Sequence, residues 1–269
     1  MTPYLARHEQ FERVGSTNDI VRSWLAAGHP EVCLAVAREQ TAGRGRAGRT
    51  WLAPPGAALL LSLGFRPTWL QPDRVWQLAA IASLAMADAA MTTSGLADGI
   101  IRLKWPNDIV VEGEGDGLRK LGGVLGETEG LGTTDPRAII GIGVNTDWDA
   151  GAFPAELAAS MTSLREVAGG GAFDATGLLG AFVDRLGDRL EALRAGQFDE
   201  AGWTSRQVTN GRVISLEHPD GAAIVRALGV DPRTGALVVE DLAAADGTRP
   251  VLVGEVTRVR LAEPMPAQA

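Results

Sequence analysis

The sequence predicts an α+β protein: a mixed sheet flanked by helices over residues 1–208, then a small C-terminal β-barrel over 209–269. Three observations predict it. Strand-like apolar runs are interspersed with helix-length segments up to about residue 195. After Gly196 the texture changes to short β-like runs separated by turn signals. A chain of 269 residues, 45% hydrophobic, has room for a sizeable core and for one large domain, or one large and one small.

Each element has a local reason. Ser16-Thr17-Asn18 precedes Ile20, Val21, Trp24 and Leu25 on one helical face, with Gly28 just beyond, so a side-chain-capped helix is predicted that the glycine stops. Val32–Ala37 and Ala57–Phe65 read as buried strands. Pro72 opens an apolar, central helix to about Met91. Ile100–Leu103, Ile109–Val111, Leu121–Leu125 and Ala138–Val144 read as strands, with a hairpin loop at Glu112–Gly117. At Pro106 the chain is expected to break out of the sheet. Helices follow at Ala155–Val167 and Asp174–Arg194, the second with six apolar residues at helical spacing. The final β-runs are Gly211–Leu216, Ala222–Leu228, Ala236–Leu242 and Val251–Leu261.

Composition narrows the function. One cysteine, Cys33, excludes an internal disulfide framework and a cysteine-rich zinc site, and three scattered histidines leave little for a histidine site. Net charge −8 argues against a general nucleic-acid binder. The N-terminus lacks a signal-peptide core. The apolar run Val75–Ala87 is short of the ~20 residues a bilayer needs, so a cytoplasmic protein with no membrane partner is expected. Of 25 basic residues only Lys104 and Lys120 are lysine. In a chain whose habitual cation is arginine, those two positions are suspected of needing an ammonium.

Four segments carry chemistry. Gly43-Arg44-Gly45-Arg46-Ala47-Gly48-Arg49 interleaves glycine with arginine and is followed by Thr50-Trp51. Glycines allow close backbone approach and concentrated arginines suit an anion, although a solvated loop has the same composition. Lys104-Trp105-Pro106-Asn107-Asp108 offers an amide and a carboxylate at a strand end, fit for a base or a hydrated magnesium, or simply for a turn. Arg119-Lys120-Leu121-Gly122-Gly123 sets a lysine before glycines that let a ligand lie on the backbone. Gly141-Ile142-Gly143-Val144-Asn145 repeats that pattern.

In this order, with Ser-Thr-Asn before them, these segments resemble the biotin–protein ligase family, strongly over Ser16–Asn145 and by texture beyond. The resemblance implies a class II synthetase-like catalytic fold with an SH3-like C-terminal barrel. It also implies an enzyme that makes biotinyl-5′-AMP from biotin and MgATP, then biotinylates a lysine of a biotin carboxyl carrier domain of an acyl-CoA carboxylase. On that resemblance Ser16, Thr17, Asn18 and Gln40 would hold biotin. Gly43, Arg44, Gly45 and Arg46 would close over biotin and the adenylate, with Arg49 on ATP phosphates and Trp51 near the adenine-side cover. Asn107 and Asp108 would serve nucleotide and metal, and Asn145 with Gly122 and Gly123 would complete the binding surface. Lys120 would meet the biotin carboxylate and the α-phosphate, making Lys120, Arg46 and Arg49 the catalytic set.

Two departures stand out: a long Asp108–Lys120 spacing, and Thr50 where the family commonly has a basic residue. Only fifteen residues precede Ser16, too few for the helix-turn-helix of some relatives, so a ligase without DNA binding is expected. The rivals are a lipoate or octanoate ligase or transferase of similar fold and a non-catalytic biotin sensor. The arginine-glycine loop and Lys-Trp-Pro-Asn-Asp favour biotin, and retention of Asn107, Asp108 and Lys120 favours catalysis.

Overall fold

The computed structural model describes residues 4–113, 117–218, 221–242, 247–256 and 258–261. A seven-stranded sheet carries the larger part. It comprises β1 (Arg7–Val14), β2 (Cys33–Gln40), β3 (Ala58–Phe65), β4 (Ile101–Lys104), β5 (Asp108–Glu112), β6 (Leu118–Glu129) and β7 (Arg137–Asn145), in spatial order β1-β2-β3-β7-β6-β5-β4. Only β1 and β2 run parallel; every other neighbour is antiparallel.

Both faces are covered, which is why β2 and β3 read as nearly unbroken apolar runs. Helix α1 (Thr17–Ala26) packs Val21, Trp24 and Leu25 on Cys33 and Ala35 of one face. On the other, Leu34, Leu61, Leu63 and Phe65 meet α2 (Trp76–Thr93) and α5 (Ala175–Arg194). The alternation of successive side chains across a strand produces the division. Although α2 is long and apolar enough for a bilayer, most of it is buried between the sheet and α5.

Several expectations change. The strand β1 was not anticipated: Arg-His-Glu-Gln-Phe-Glu-Arg-Val is polar because it is an edge strand with alternate residues exposed. The chain does not leave the sheet at Pro106. It turns directly into β5, with Asp108 opposite Lys104. The helix expected over Ala155–Val167 is two single turns, α3 (Ala155–Ala158) and α4 (Leu164–Val167). Between them Ser160–Thr162 pairs with β6: Lys120 N–H donates to the Ser160 carbonyl at 2.7 Å and Thr162 N–H to the Lys120 carbonyl at 2.9 Å. Ser163 then caps α4 through the Glu166 N–H. A further short helix, α6 (Glu200–Arg206), was also unread, and it buries Trp203.

The second sheet has β8 (Val213–His218), β9 (Gly221–Val230), β10 (Leu237–Asp241), β11 (Thr248–Val251) and β12 (Arg258–Leu261), in order β11-β10-β9-β8-β12. The run Val251–Leu261 is thus divided between two strands. Among the described residues the sheet stays open between β11 and β12, where the sequence predicts a barrel. Residues 114–116 of the expected β5–β6 loop and two turn signals, at Pro219-Asp220 and Ala245-Asp246, lie outside the described residues. The small sheet is tied to the large one by indole N–H groups. Trp105 Nε1 donates to the Gly235 carbonyl at 3.0 Å and Trp76 Nε1 to that of Arg233 at 3.4 Å.

Candidate active site

Five predicted segments converge on one cleft. At its first end the start of α1 lies against the sheet. Ser16 occupies the N-cap position with extended backbone, but its side chain makes no capping bond, contrary to expectation. Ser16, Thr17 and Asn18 are instead all buried. Thr17 donates to Gln40 Oε1 through both its backbone N–H (2.7 Å) and its hydroxyl (2.9 Å). Ser62 Oγ, fully buried in the apolar run of β3, lies 2.6 Å from Thr17 Oγ1 and 2.5 Å from Asn18 Oδ1. Asn18 Nδ2 donates to Glu127 Oε2 at 2.5 Å. Ser62 and Glu127 went unread. Ser62 left a signal, a lone hydroxyl inside Leu-Leu-Leu-Ser-Leu, which a buried strand accepts only with a partner.

The arginine-glycine loop folds over this end. Arg44 pairs with both oxygens of Asp19 (2.8 and 2.7 Å), and Arg22 joins Asp19, Glu127 and Glu129. The hydrogen bond from Arg44 holds the Asp19 carboxyl below its ordinary range, against a smaller opposing effect of burial. The loop closes on itself: Gly45 N–H donates to the Arg49 carbonyl at 2.6 Å, while Ala47 and Gly48 turn the chain at φ 53° and 71°. Arg46 reaches away, donating to the Val253 and Val256 carbonyls of the connection between the last two strands of the small sheet at 2.6 and 2.9 Å. Arg44 and Arg46 of the loop thus already have protein partners in this structure.

Glycines floor the middle of the cleft. A Cβ on Gly141 would collide with Asn18, and one on Gly143 would lie 2.6 Å from the Trp51 ring. Gly123 faces the same ring, about 3.5 Å from where its Cβ would be. Trp51 thus lies flat on strands β6 and β7, its Nε1 buried without a partner among the described residues. Lys120 Nζ stands 5.5 Å from the indole centroid. Leu125, Glu127 and the loop, with Val253, Gly254 and Val256, enclose an adjoining cleft of about 770 Å³.

At the far end one carboxylate gathers the cations. Lys120 Nζ lies 2.5 Å from Asp108 Oδ1 and Lys104 Nζ 3.2 Å from Asp108 Oδ2. A bulge sets this up. Ile109 faces Gly122, but Val110 faces Lys120, so β6 carries one extra residue, Leu121. Without it Lys120 would fall on the opposite face from Asp108. Burial pushes the Asp108 carboxyl up, but Lys120 and then Lys104 outweigh it, and the group titrates below its usual range. Arg46 is pulled down by burial and by nearby Arg49, with Asp108 partly offsetting both.

The remaining predicted residues do supporting work. Asn107 Nδ2 donates to the Val124 carbonyl at 3.1 Å, and the Asn107 carbonyl accepts from Val124 N–H at 2.9 Å, fixing the turn to β6. Asn145 is fully buried and donates to the Thr162 carbonyl at 2.9 Å, bracing the segment that pairs with Lys120. Asp108, expected to serve the metal, accepts from an ammonium group at each oxygen in this structure, Lys120 at Oδ1 and Lys104 at Oδ2.

Comparison with known proteins agrees with this geometry. The biotin/lipoate A/B protein ligase family matches residues 10–145. A bifunctional ligase/repressor BirA from Bacillus spizizenii is 30% identical over 242 residues, spanning 89% of this chain and 71% of that protein. A biotin--[acetyl-CoA-carboxylase] ligase from Mycobacterium tuberculosis is 30% identical over 216 residues, 79% of this chain and 75% of its own length. Among solved structures, biotin protein ligase from Aquifex aeolicus in complex with biotin and ATP superposes with a TM-score of 0.75. It is 25% identical, and the match covers 95% of this chain and 99% of that one.

Proposed function

The chain belongs to the biotin/lipoate A/B protein ligase family, and within it we propose that this enzyme is a biotin–protein ligase. It activates biotin with ATP to biotinyl-5′-adenylate, releasing pyrophosphate. It then passes the biotinyl group to a lysine ε-amine on a biotin carboxyl carrier domain of a carboxylase. The observation that carries this reading is the pairing of two unlike ends across one glycine floor. A hydrogen-bonding pocket at Thr17, Asn18, Gln40 and Ser62 suits a bicyclic urea, which needs donors and acceptors but no net charge. The cations around Asp108 suit the carboxylate tail and the α-phosphate that must meet it.

In the first step a biotin carboxylate oxygen attacks the α-phosphorus and the bond to pyrophosphate breaks. Two anions approach, so the surplus charge of Lys120, Arg46 and Arg49 is most valuable as they converge. In the second step the acceptor amine attacks the acyl carbon and AMP leaves. The adenylate is already activated, so no protein nucleophile is required. Trp51, on the floor between the ends, is the wall against which the ligand packs. Asp108 would be the carboxylate to hold a magnesium ion accompanying ATP, which would supply further neutralisation of the phosphate charge.

The test is ATP–pyrophosphate exchange with biotin, lipoate or neither. Exchange that depends on biotin supports the reading. Exchange with lipoate alone moves the protein to the lipoate branch, and no exchange despite biotin binding makes it a sensor.

A further inference from the structure

Both lysines of the chain meet at one carboxylate. Arginine supplies every other lysine- or arginine-type cation, and half-buried acids such as Asp88, with Arg189 and Arg206, pair with it. At Asp108 the partners are ammonium groups instead, one on each oxygen: Lys104 on Oδ2 and Lys120 on Oδ1. This is no solvated surface pair, for the side chains of Lys104 and Asp108 are only 17% and 18% exposed. Lys104 is the cross-strand neighbour of Asp108, delivered by the tight turn through Pro106, whereas Lys120 comes from β6 through the bulge.

From this shared carboxylate we propose that Lys104 is a positioning residue for Lys120 in the ligase reaction proposed above. By holding Oδ2, Lys104 keeps Asp108 from closing on Lys120 with both oxygens. Lys120 is then anchored by a single contact and retains N–H donors for incoming anions. A compact ammonium is required at 104 because it occupies one oxygen. A guanidinium fork there would match both oxygens of Asp108 and strip the carboxylate from Lys120. The chain's preference for arginine makes retention of lysine at this partner position informative in the same way as at 120.

The experiment exploits the lysine count. In protein labelled with [ε-13C]lysine, wild type gives two side-chain signals, and Lys104→Ala or Lys104→Arg leaves only Lys120. Inorganic pyrophosphate is titrated into all three, and steady-state pyrophosphate release is measured with biotin and ATP. In both variants kcat should fall about tenfold, the scale of coupling between charged neighbours, with the KM for biotin within about threefold. The Lys120 signal should move, and its pyrophosphate affinity should weaken about fivefold or more. Melting temperature is followed alongside; Lys104→Arg preserves the charge and the stem, so a loss of kcat at wild-type stability separates positioning from folding. If Lys104→Arg keeps more than half the wild-type kcat, or the Lys120 signal stays put in both variants, the proposal is overturned. A wild type inactive with biotin fails the ligase reading instead, while the pyrophosphate titration still judges Lys104.

Discussion

Around Thr17 the polar groups answer one another within the protein, and the charges of Asp19, Glu127 and Glu129 are met by Arg22 and Arg44. Around Asp108 the balance is uneven: Lys104 and Lys120 share one carboxylate. A satisfied network defines shape and hydrogen-bond pattern, and so selects a ligand. A cationic surplus pulls anions together and stabilises charge that builds up between them. The cleft therefore divides recognition from chemistry, with Trp51 on its glycine floor as the divider.

The largest effect should come from the cationic end. Lys120→Ala should slow biotin-dependent pyrophosphate release by roughly 10²–10³-fold, the usual scale for one transition-state donor. Lys120→Arg should fail nearly as badly, because a planar fork replaces a point charge. Presynthesised biotinyl-adenylate should restore part of the transfer step in both. Next comes the divider. Gly143→Ala puts a methyl group 2.6 Å from the Trp51 ring and forces the indole to move. Calorimetry should show biotin binding weakened by roughly 10- to 100-fold, consistent with about 1–3 kcal/mol of overpacking. Pyrophosphate release should fall with it, because Lys120 Nζ stands 5.5 Å from the same ring.

Ser62→Ala acts at the recognition end alone. It removes a fully buried hydroxyl from Thr17 and Asn18 and should cost about 1–3 kcal/mol in a denaturant titration. The KM for biotin should rise about tenfold, with kcat within about twofold. The smallest effect is on the loop latch. Arg44 depresses the Asp19 carboxyl, so the pair persists at neutral pH and its contribution disappears only as pH falls through that lowered pKa. Hydrogen-exchange protection of residues 43–49 should hold from pH 7 down through the ordinary carboxylate range and drop only below it. Asp19→Asn should lack that protection throughout. Protection unchanged by the substitution would show that Arg44 does not hold the loop.

The same division explains what could be read from the sequence. Motif residues of the chemical end were visible because lysine is rare here and glycines interrupt strands at 122–123 and 141–143. The strands β2, β3 and β7 were visible because burial on both faces makes their central runs almost wholly apolar. What escaped depends on pairing at a distance. The polar β1 is a strand only because β2 offers it an edge, and Ser160–Thr162 leave the helical state to pair with β6. The side of β6 on which Lys120 emerges rests on a bulge that no local pattern announces. That Asp108 gathers two ammonium groups was not legible either, because they reach it from β4 across a turn and from β6 across that bulge.

The most direct test of the division measures two quantities on two variants: biotin affinity by calorimetry and the single-turnover rate of adenylate formation, for Ser62→Ala and Lys120→Ala. The account predicts a crossed result. Ser62→Ala should weaken biotin binding about tenfold yet form adenylate at near wild-type rate once saturated. Lys120→Ala should lose the rate by roughly 10²–10³-fold while keeping biotin affinity within about tenfold. Equal losses of affinity and rate in both variants would contradict it, and the cleft would have to be treated as one undivided site.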